Sequence, residues 1–254
     1  YHRIIVYRPG QADTPDLVTQ FGSYGESDGQ LVYPTDVAVL PSRDGNSIER
    51  LYVSEYGGHD RINVYEPAAT GPDGLPTEFV FRFAFGRFGS GALPDPVEFN
   101  RPQCMEVDLA QRELVMTDAC NHRIGRFTLE GALIKWIGGP DVSGKEPGQL
   151  SFPYGLALLG DGSVLVCEFG NNRLQRFDLA TGASLGIYGE AGRDKGQLAS
   201  PWGLAVIDGT VFVLDSGNNR VLGFAKPRGG VSREAASAHN TVAGQSSSTA
   251  GGPG

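Results

Sequence analysis

The sequence predicts an all-β fold, a β-propeller whose short four-stranded antiparallel blades stand around an axis. Three observations predict it. First, one phrase recurs: Asp215-Ser216-Gly217-Asn218-Asn219-Arg220 is its cleanest copy, with Glu168-Phe169-Gly170-Asn171-Asn172-Arg173 and Asp118-Ala119-Cys120-Asn121-His122-Arg123 as further copies. A copy longer by one residue runs from Glu55 to Arg61, and His2-Arg3 is the end of another. Second, the closing arginines Arg3, Arg61, Arg123, Arg173 and Arg220 are 58, 62, 50 and 47 residues apart, which is the size of a propeller blade. Third, each unit carries short apolar runs joined by turn dipeptides such as Asp161-Gly162 and Asp208-Gly209, the mark of hairpins.

In chain order, residues 1–9 end one repeat and contain a strand over Ile4 to Tyr7, with a second over Leu17 to Phe21. The first full repeat opens at Gly29-Gln30-Leu31 and Pro34, with strands at Val37 to Val39, Leu51 to Val53, Ile62 to Tyr65 and Phe79 to Phe85. The second opens at Phe99 and Pro102 and gives Cys104 to Leu109, Glu113 to Thr117, Ile124 to Phe127 and Leu133 to Ile137. The third opens at Gly148-Gln149-Leu150 and Pro153 and gives Gly155 to Leu159, Val164 to Cys167, Leu174 to Phe177 and Leu185 to Tyr188. The fourth opens at Gly196-Gln197-Leu198 and Pro201 and gives Gly203 to Ile207, Val211 to Leu214 and Val221 to Phe224. Wholly apolar second strands such as Val211-Phe212-Val213-Leu214 predict sheets covered on both faces by neighbouring blades, since a one-sided sheet alternates. Residues 1–227 are thus expected to form the propeller. Residues 228–254 are rich in Gly, Ser and Ala and are expected to be a disordered tail, with too little apolar area to offset ordering entropy.

Composition narrows the function classes. The chain has 254 residues, with Gly 37 and Pro 16, in keeping with many turns. No apolar run approaches the ~20 residues of a membrane-spanning helix. A net charge of -8 argues against a nucleic-acid surface, which is basic as a rule. Cys104, Cys120 and Cys167 lie in or beside predicted strands and are expected to be small buried thiols. The chain lacks an initiator Met and begins partway through a repeat, which implies a fragment or processed product and leaves the compartment unread. The segment Gly139 to Lys145 resembles a phosphate-binding loop, but Glu146 stands where Ser or Thr is needed.

The units resemble the NHL repeat: a G-Q-F/L start, P-x-G-I/L-A, an apolar strand, D-x-G-N-x-R, then I-x-x-F. The third and fourth units follow it nearly throughout (GQLSFPYGLAL with VLVCEFGNNRLQRF, and GQLASPWGLAV with VFVLDSGNNRVLGF). The second departs at Gln103-Cys104, and the first at Asp36 and in the extra residue before Arg61. The resemblance covers residue 2 to about residue 225 and implies a six-bladed type, present here as an incomplete ring of about five blades or part-blades. That family spans scaffolds, RNA binders and a few enzymes; the expectation here is a binding or scaffold module for a protein or small ligand at the channel mouth, with no cofactor. A calcium-dependent hydrolase or lyase on the same fold is the alternative. Tyr33 to Val39 also resembles a segment of the peptide-amidating lyase. That resemblance implies zinc histidines after each entry proline, but Thr35, Gln103, Tyr154 and Trp202 stand there, so no zinc is expected. The sugar-lactone hydrolases imply channel carboxylates for calcium, for which Asp36, Glu106 and Asp108 are the candidates.

The repeated residues read as a turn lock. The set is Glu55, Arg61, Asp118, Asn121, Arg123, Glu168, Asn171, Arg173, Asp215, Asn218 and Arg220. Each acid is expected to accept N–H groups of its turn, Gly170 and Gly217 to supply positive φ, and each Arg to reach the acid of its own or the next blade. An acidic rim holding a metal is the alternative, although sheets about 10 Å apart keep these acids from pairing. His122 fills the slot of Asn172 and Asn219 and is expected to be structural. Thr35, Gln103, Tyr154 and Trp202 sit at one level near the channel mouth and vary between units, which marks them as the candidate binding residues.

Overall fold

The computed structural model describes residues 2–8, 15–139 and 143–227. The segment expected to be a tail therefore lies outside the described residues, as does part of the Gly139 to Lys145 loop. In chain order the strands are β1 (Ile4–Arg8), β2 (Asp16–Phe21), β3 (Pro34–Pro41), β4 (Ile48–Glu55), β5 (Ile62–Thr70), β6 (Pro76–Phe85), β7 (Arg87–Phe88), β8 (Glu98–Phe99), β9 (Pro102–Asp108), β10 (Glu113–Asp118), β11 (Arg123–Thr128), β12 (Leu133–Ile137), β13 (Pro153–Leu158), β14 (Ser163–Glu168), β15 (Arg173–Asp178), β16 (Ser184–Tyr188), β17 (Glu190–Ala191), β18 (Gln197–Leu198), β19 (Pro201–Ile207), β20 (Thr210–Asp215) and β21 (Arg220–Ala225). Three four-stranded antiparallel sheets, β3–β6, β9–β12 and β13–β16, are flanked by the pair β1–β2 and the three-stranded β19–β21. Helix among the described residues is limited to two 3-10 turns, Ala119–Asn121 and Ser216–Asn218. The all-β propeller architecture is as the repeats predict. The sequence gives no sign of the two-residue parallel pairs β7–β8 and β17–β18, which tie the chain between blades to the next entry segment.

The core lies between blades rather than within any one of them. Side chains alternate along each second strand, so every sheet packs one face forwards and one back. On β14, Val164 and Val166 join Val115 and Ile124 of the blade before. Leu165 and Cys167 join Val211, Val213 and Leu222 of the blade after. Tyr52 packs with Leu114 and Met116, and Leu51 and Val53 pack with Ile4, Val6 and Phe21. The expectation of two covered faces fails on β20: Val211 and Val213 are buried, but Phe212 is 38% and Leu214 45% exposed. Val221 on β21 is exposed beside them.

Candidate functional site

The repeated phrase builds one lock per blade. The Glu55, Asp118, Glu168 and Asp215 side chains are all sealed from solvent. Each accepts Nε of its own blade's arginine, at 2.6 Å from Arg61, 2.8 Å from Arg123, 2.6 Å from Arg173 and 2.7 Å from Arg220. Each also accepts a backbone N–H from the blade's entry segment: Val32 at 2.7 Å, Asn100 at 2.7 Å, Ser151 at 3.2 Å and Ala199 at 2.7 Å. This corrects the expected turn bond, because the acid reaches back to the entry segment and closes the blade instead. Asn121, Asn171 and Asn218 join the same acids and donate onward to Gly89, Gly144 and Gly192 carbonyls. Gln175 also reaches Glu168, at 2.8 Å. Burial raises the Glu168 carboxyl above its ordinary range in spite of Arg173.

Gly170 and Gly217 do not take positive φ. That conformation falls on the next residue but one, at His122, Asn172 and Asn219. The glycines serve close approach instead: a Cβ on Gly217 would meet the Ala199 carbonyl oxygen at 2.8 Å, and one on Gly170 would meet Ser151 Oγ at 2.3 Å.

A second set of bonds joins blade to blade. Tyr33, Arg101, Phe152 and Ser200 stand just before the entry prolines and share positive φ, at 47°, 63°, 47° and 48°. This costs a bulky residue about 1–2 kcal/mol. It points each N–H at the preceding blade, where an acceptor waits: His2 Nδ1 at 3.1 Å, Asp60 at 2.6 Å, His122 Nδ1 at 3.1 Å and Asn172 Oδ1 at 2.8 Å. His122 is thus a hydrogen-bond acceptor and must be neutral to serve. Burial lowers its pKa. A group depressed in the folded state gives stability that is present above its unfolded value and lost as pH falls. Wild-type stability should therefore drop between about pH 7 and pH 5 by about 1 kcal/mol more than that of His122→Asn. Urea midpoints of the two proteins across that range check this, and parallel profiles would contradict it.

The channel carboxylates are used in the same way. Asp36 accepts the Met105 N–H at 2.7 Å, and Glu106 accepts the Leu158 N–H at 2.8 Å, each across a blade boundary. Asp108 caps its own hairpin at Ala110 and Gln111. Among the described residues no group of three or more His, Cys, Asp or Glu is placed to share a metal ion. Gly155 sits where blades converge, for a Cβ there would meet Gly203 Cα at 2.6 Å. Cys167 is buried, Cys104 and Cys120 are half-buried, and all three are free.

The four candidate residues occupy the second position of β3, β9, β13 and β19, but they do different work. Thr35 spends its hydroxyl on Ser54 and on the Pro102 carbonyl at 2.9 Å, so it stitches blades together rather than offering a bond outwards. Gln103 accepts Arg101 Nε at 3.0 Å. Tyr154 is only 6% exposed and stacks on Phe169 at 4.8 Å, while Trp202 stands edge-on to it at 4.8 Å and is 40% exposed. Tyr154 is therefore a floor, and Trp202 is the accessible ring.

Two further rows on the same face are not picked out by the sequence reading. They are the left-handed residues Tyr33, Arg101, Phe152 and Ser200, and the residues following each locked acid, Tyr56, Ala119, Phe169 and Ser216. A fixed offset from the entry proline or from the acid would have found both. Tyr33, Tyr56 and Arg101 of these rows join Tyr24, His2, Tyr154 and Trp202 in one arc. Tyr24 meets His2 at 4.8 Å, His2 meets Tyr33 at 5.0 Å, and Tyr33 meets Tyr56 at 5.6 Å. The Arg101 guanidinium lies 5.4 Å from the Tyr56 ring and 5.2 Å from the Tyr154 ring, and Trp202 ends the line. At the other end of the innermost strands, a cleft of about 490 Å³ lies between the β9–β10 and β13–β14 hairpins. Its arginine, Arg126, is committed to Glu113 and to the Leu179 carbonyl.

Comparison with known proteins agrees with the repeat reading. The NHL repeat model matches residues 198–224. NHL repeat-containing protein 3 of Mus musculus is 30% identical over 117 residues, which is 45% of this chain and 32% of that protein. The chain thus spans about a third of this curated relative's length. A chain of the nidogen/laminin complex covers 85% of this one and is covered to 65%, at 15% identity and a TM-score of 0.51. A protein of unknown function from Desulfotomaculum acetoxidans covers 89% and is covered to 59%, at 13% identity and a TM-score of 0.55. These structural likenesses are likenesses of fold.

Proposed function

We propose that this chain, a propeller whose residues 198–224 match the NHL repeat, is a protein-binding module whose contact surface is the aromatic arc at the channel mouth. An NHL-type propeller suits binding and scaffolding in general. The observation that carries the finer reading is the arc itself. Rings drawn from successive blades meet edge-on or tilted in one line that the Arg101 guanidinium bridges, and Trp202, Tyr33 and Tyr24 in it are exposed. Large rings with a polar edge give much contact area at low entropy cost and dominate interface hot spots. The Asp36 and Glu106 carboxylates are engaged by backbone amides, which takes support from the calcium-enzyme alternative. No helix among the described residues is long and apolar enough to cross a membrane.

The test is to pan a random-peptide library on the folded protein and to measure the selected peptides against Trp202→Ala. Binding should weaken by about 2 kcal/mol or more, with the melting temperature little changed because Trp202 is already part exposed. Peptides that bind Trp202→Ala and Tyr33→Ala as well as wild type would overturn the assignment of the face. A loss of stability of about 3 kcal/mol would mark Trp202 as core instead.

A further inference from the structure

We propose that Arg101 makes this face a reader of carboxylates: its occupant is an extended segment of a protein partner, bearing one Asp or Glu side chain that the guanidinium grips. This rests on the reading of the face as a protein-binding surface and adds the chemistry of the partner. Arg101 stands at the centre of the arc, held between the Tyr56 and Tyr154 rings with Nε donating to Gln103 Oε1. Nη1 and Nη2 have no hydrogen-bond partner among the described residues. Neither is among the sealed orphan atoms, so both are open to water. The arginines Arg61, Arg123, Arg173 and Arg220, in contrast, are each bound to a carboxylate of their own blade. Asp60, the carboxylate in contact with Arg101, is taken up by the backbone N–H groups of Arg101 and Gly58.

A guanidinium that touches two rings and is anchored through Nε is restricted before binding, and its remaining fork matches a carboxylate with two parallel bonds. Tyr33 on one side and Trp202 on the other offer apolar contact to the residues flanking the acid. The net charge of -8 disfavours a polyacid or a phosphate backbone, so the fitting segment has a single acid among apolar residues.

The experiment uses the full chain and three immobilised random heptapeptide libraries, capped at both ends, with Glu, Gln or Lys fixed at the centre. The Glu library should retain about ten times more protein than the other two, as a bidentate charged pair confers. Arg101→Gln should reduce Glu-library retention to the Gln level with an unchanged melting temperature. Arg101→Lys, which keeps the charge but loses the fork, should fall well below wild type; undiminished retention there would overturn the bidentate reading, and it decides the matter if Arg101→Gln fails to fold. Equal retention on the Glu and Gln libraries, abolished by Trp202→Ala, would overturn the carboxylate and leave the binding face standing. Retention on no library would overturn both, as would retention on an immobilised single-stranded RNA oligomer alone.

Discussion

Replacing Arg123 with Met is expected to lower unfolding stability by about 3–5 kcal/mol, the loss that follows when one partner of a buried ion pair is removed. Both Arg123 and Asp118 are wholly buried. The arginine binds Asp118 through Nε and the Glu98 carbonyl through Nη2 at 2.7 Å, and its guanidinium lies 3.7 Å from the Trp136 ring centre. That stacking accounts for Nη1, which has no hydrogen-bond partner. Burial pushes the Asp118 carboxyl up to about 6 against the lowering pull of Arg123. Without the arginine it rises further, and Asp118 takes up a proton at neutral pH. A group raised in the folded state contributes stability that is lost as pH rises through the folded value. The deficit of Arg123→Met relative to wild type should therefore narrow as pH falls from about 8 to 5. Asp118→Asn combined with Arg123→Met should be less damaging at neutral pH than Arg123→Met alone, because no carboxyl then has to be protonated or buried as a charge. Denaturant titrations of the three proteins decide this. A deficit of under about 1 kcal/mol, or one independent of pH, would show that the pair is not the lock of its blade.

How much of this was legible in the sequence depends on the distance over which each residue acts. The blades were legible because repetition shows itself without knowledge of contacts, and a phrase returning at Asp118, Glu168 and Asp215 fixes both unit and register. The partners of those acids were not. Local rules supply a carboxylate with the N–H groups of its own turn, whereas Asp215 accepts from Ala199 and Glu55 from Val32, which only the folded blade brings near. The role of Gly217 is hidden from the sequence for the same reason: its space is filled by the Ala199 carbonyl, and Asn219 bears the positive φ. At the site, the row Thr35, Gln103, Tyr154 and Trp202 was located by offset, but the tasks of its members differ. Thr35 ties a blade boundary, and Tyr154 supports Trp202. Arg101 is not legible, because a lone arginine before a proline carries no pattern until Tyr56 and Tyr154 come into contact with it.

Leu165→Ala and Leu214→Ala are expected to differ widely, although both residues sit on second strands and point away from the preceding blade. Leu165 is sealed between blades against Val211, Val213 and Leu222, so truncation should cost about 2–5 kcal/mol through lost transfer energy and the cavity left behind. Leu214 is nearly half exposed on the β20 face that no described element covers. Truncation there removes apolar surface that already meets water, so the cost should stay below about 1 kcal/mol. Gly203 shows the same asymmetry. A Cβ on it would meet nothing within 4 Å, while one on Gly155 would strike the next blade's backbone. Urea titration of both leucine variants, at two protein concentrations, tests the reading. If Leu214→Ala costs as much as Leu165→Ala and its cost grows with protein concentration, the β20 face is covered in solution by a second copy of the chain. If the two costs differ as expected at both concentrations, the face stands open, and Phe212, Leu214 and Val221 form an apolar patch available to a further sheet.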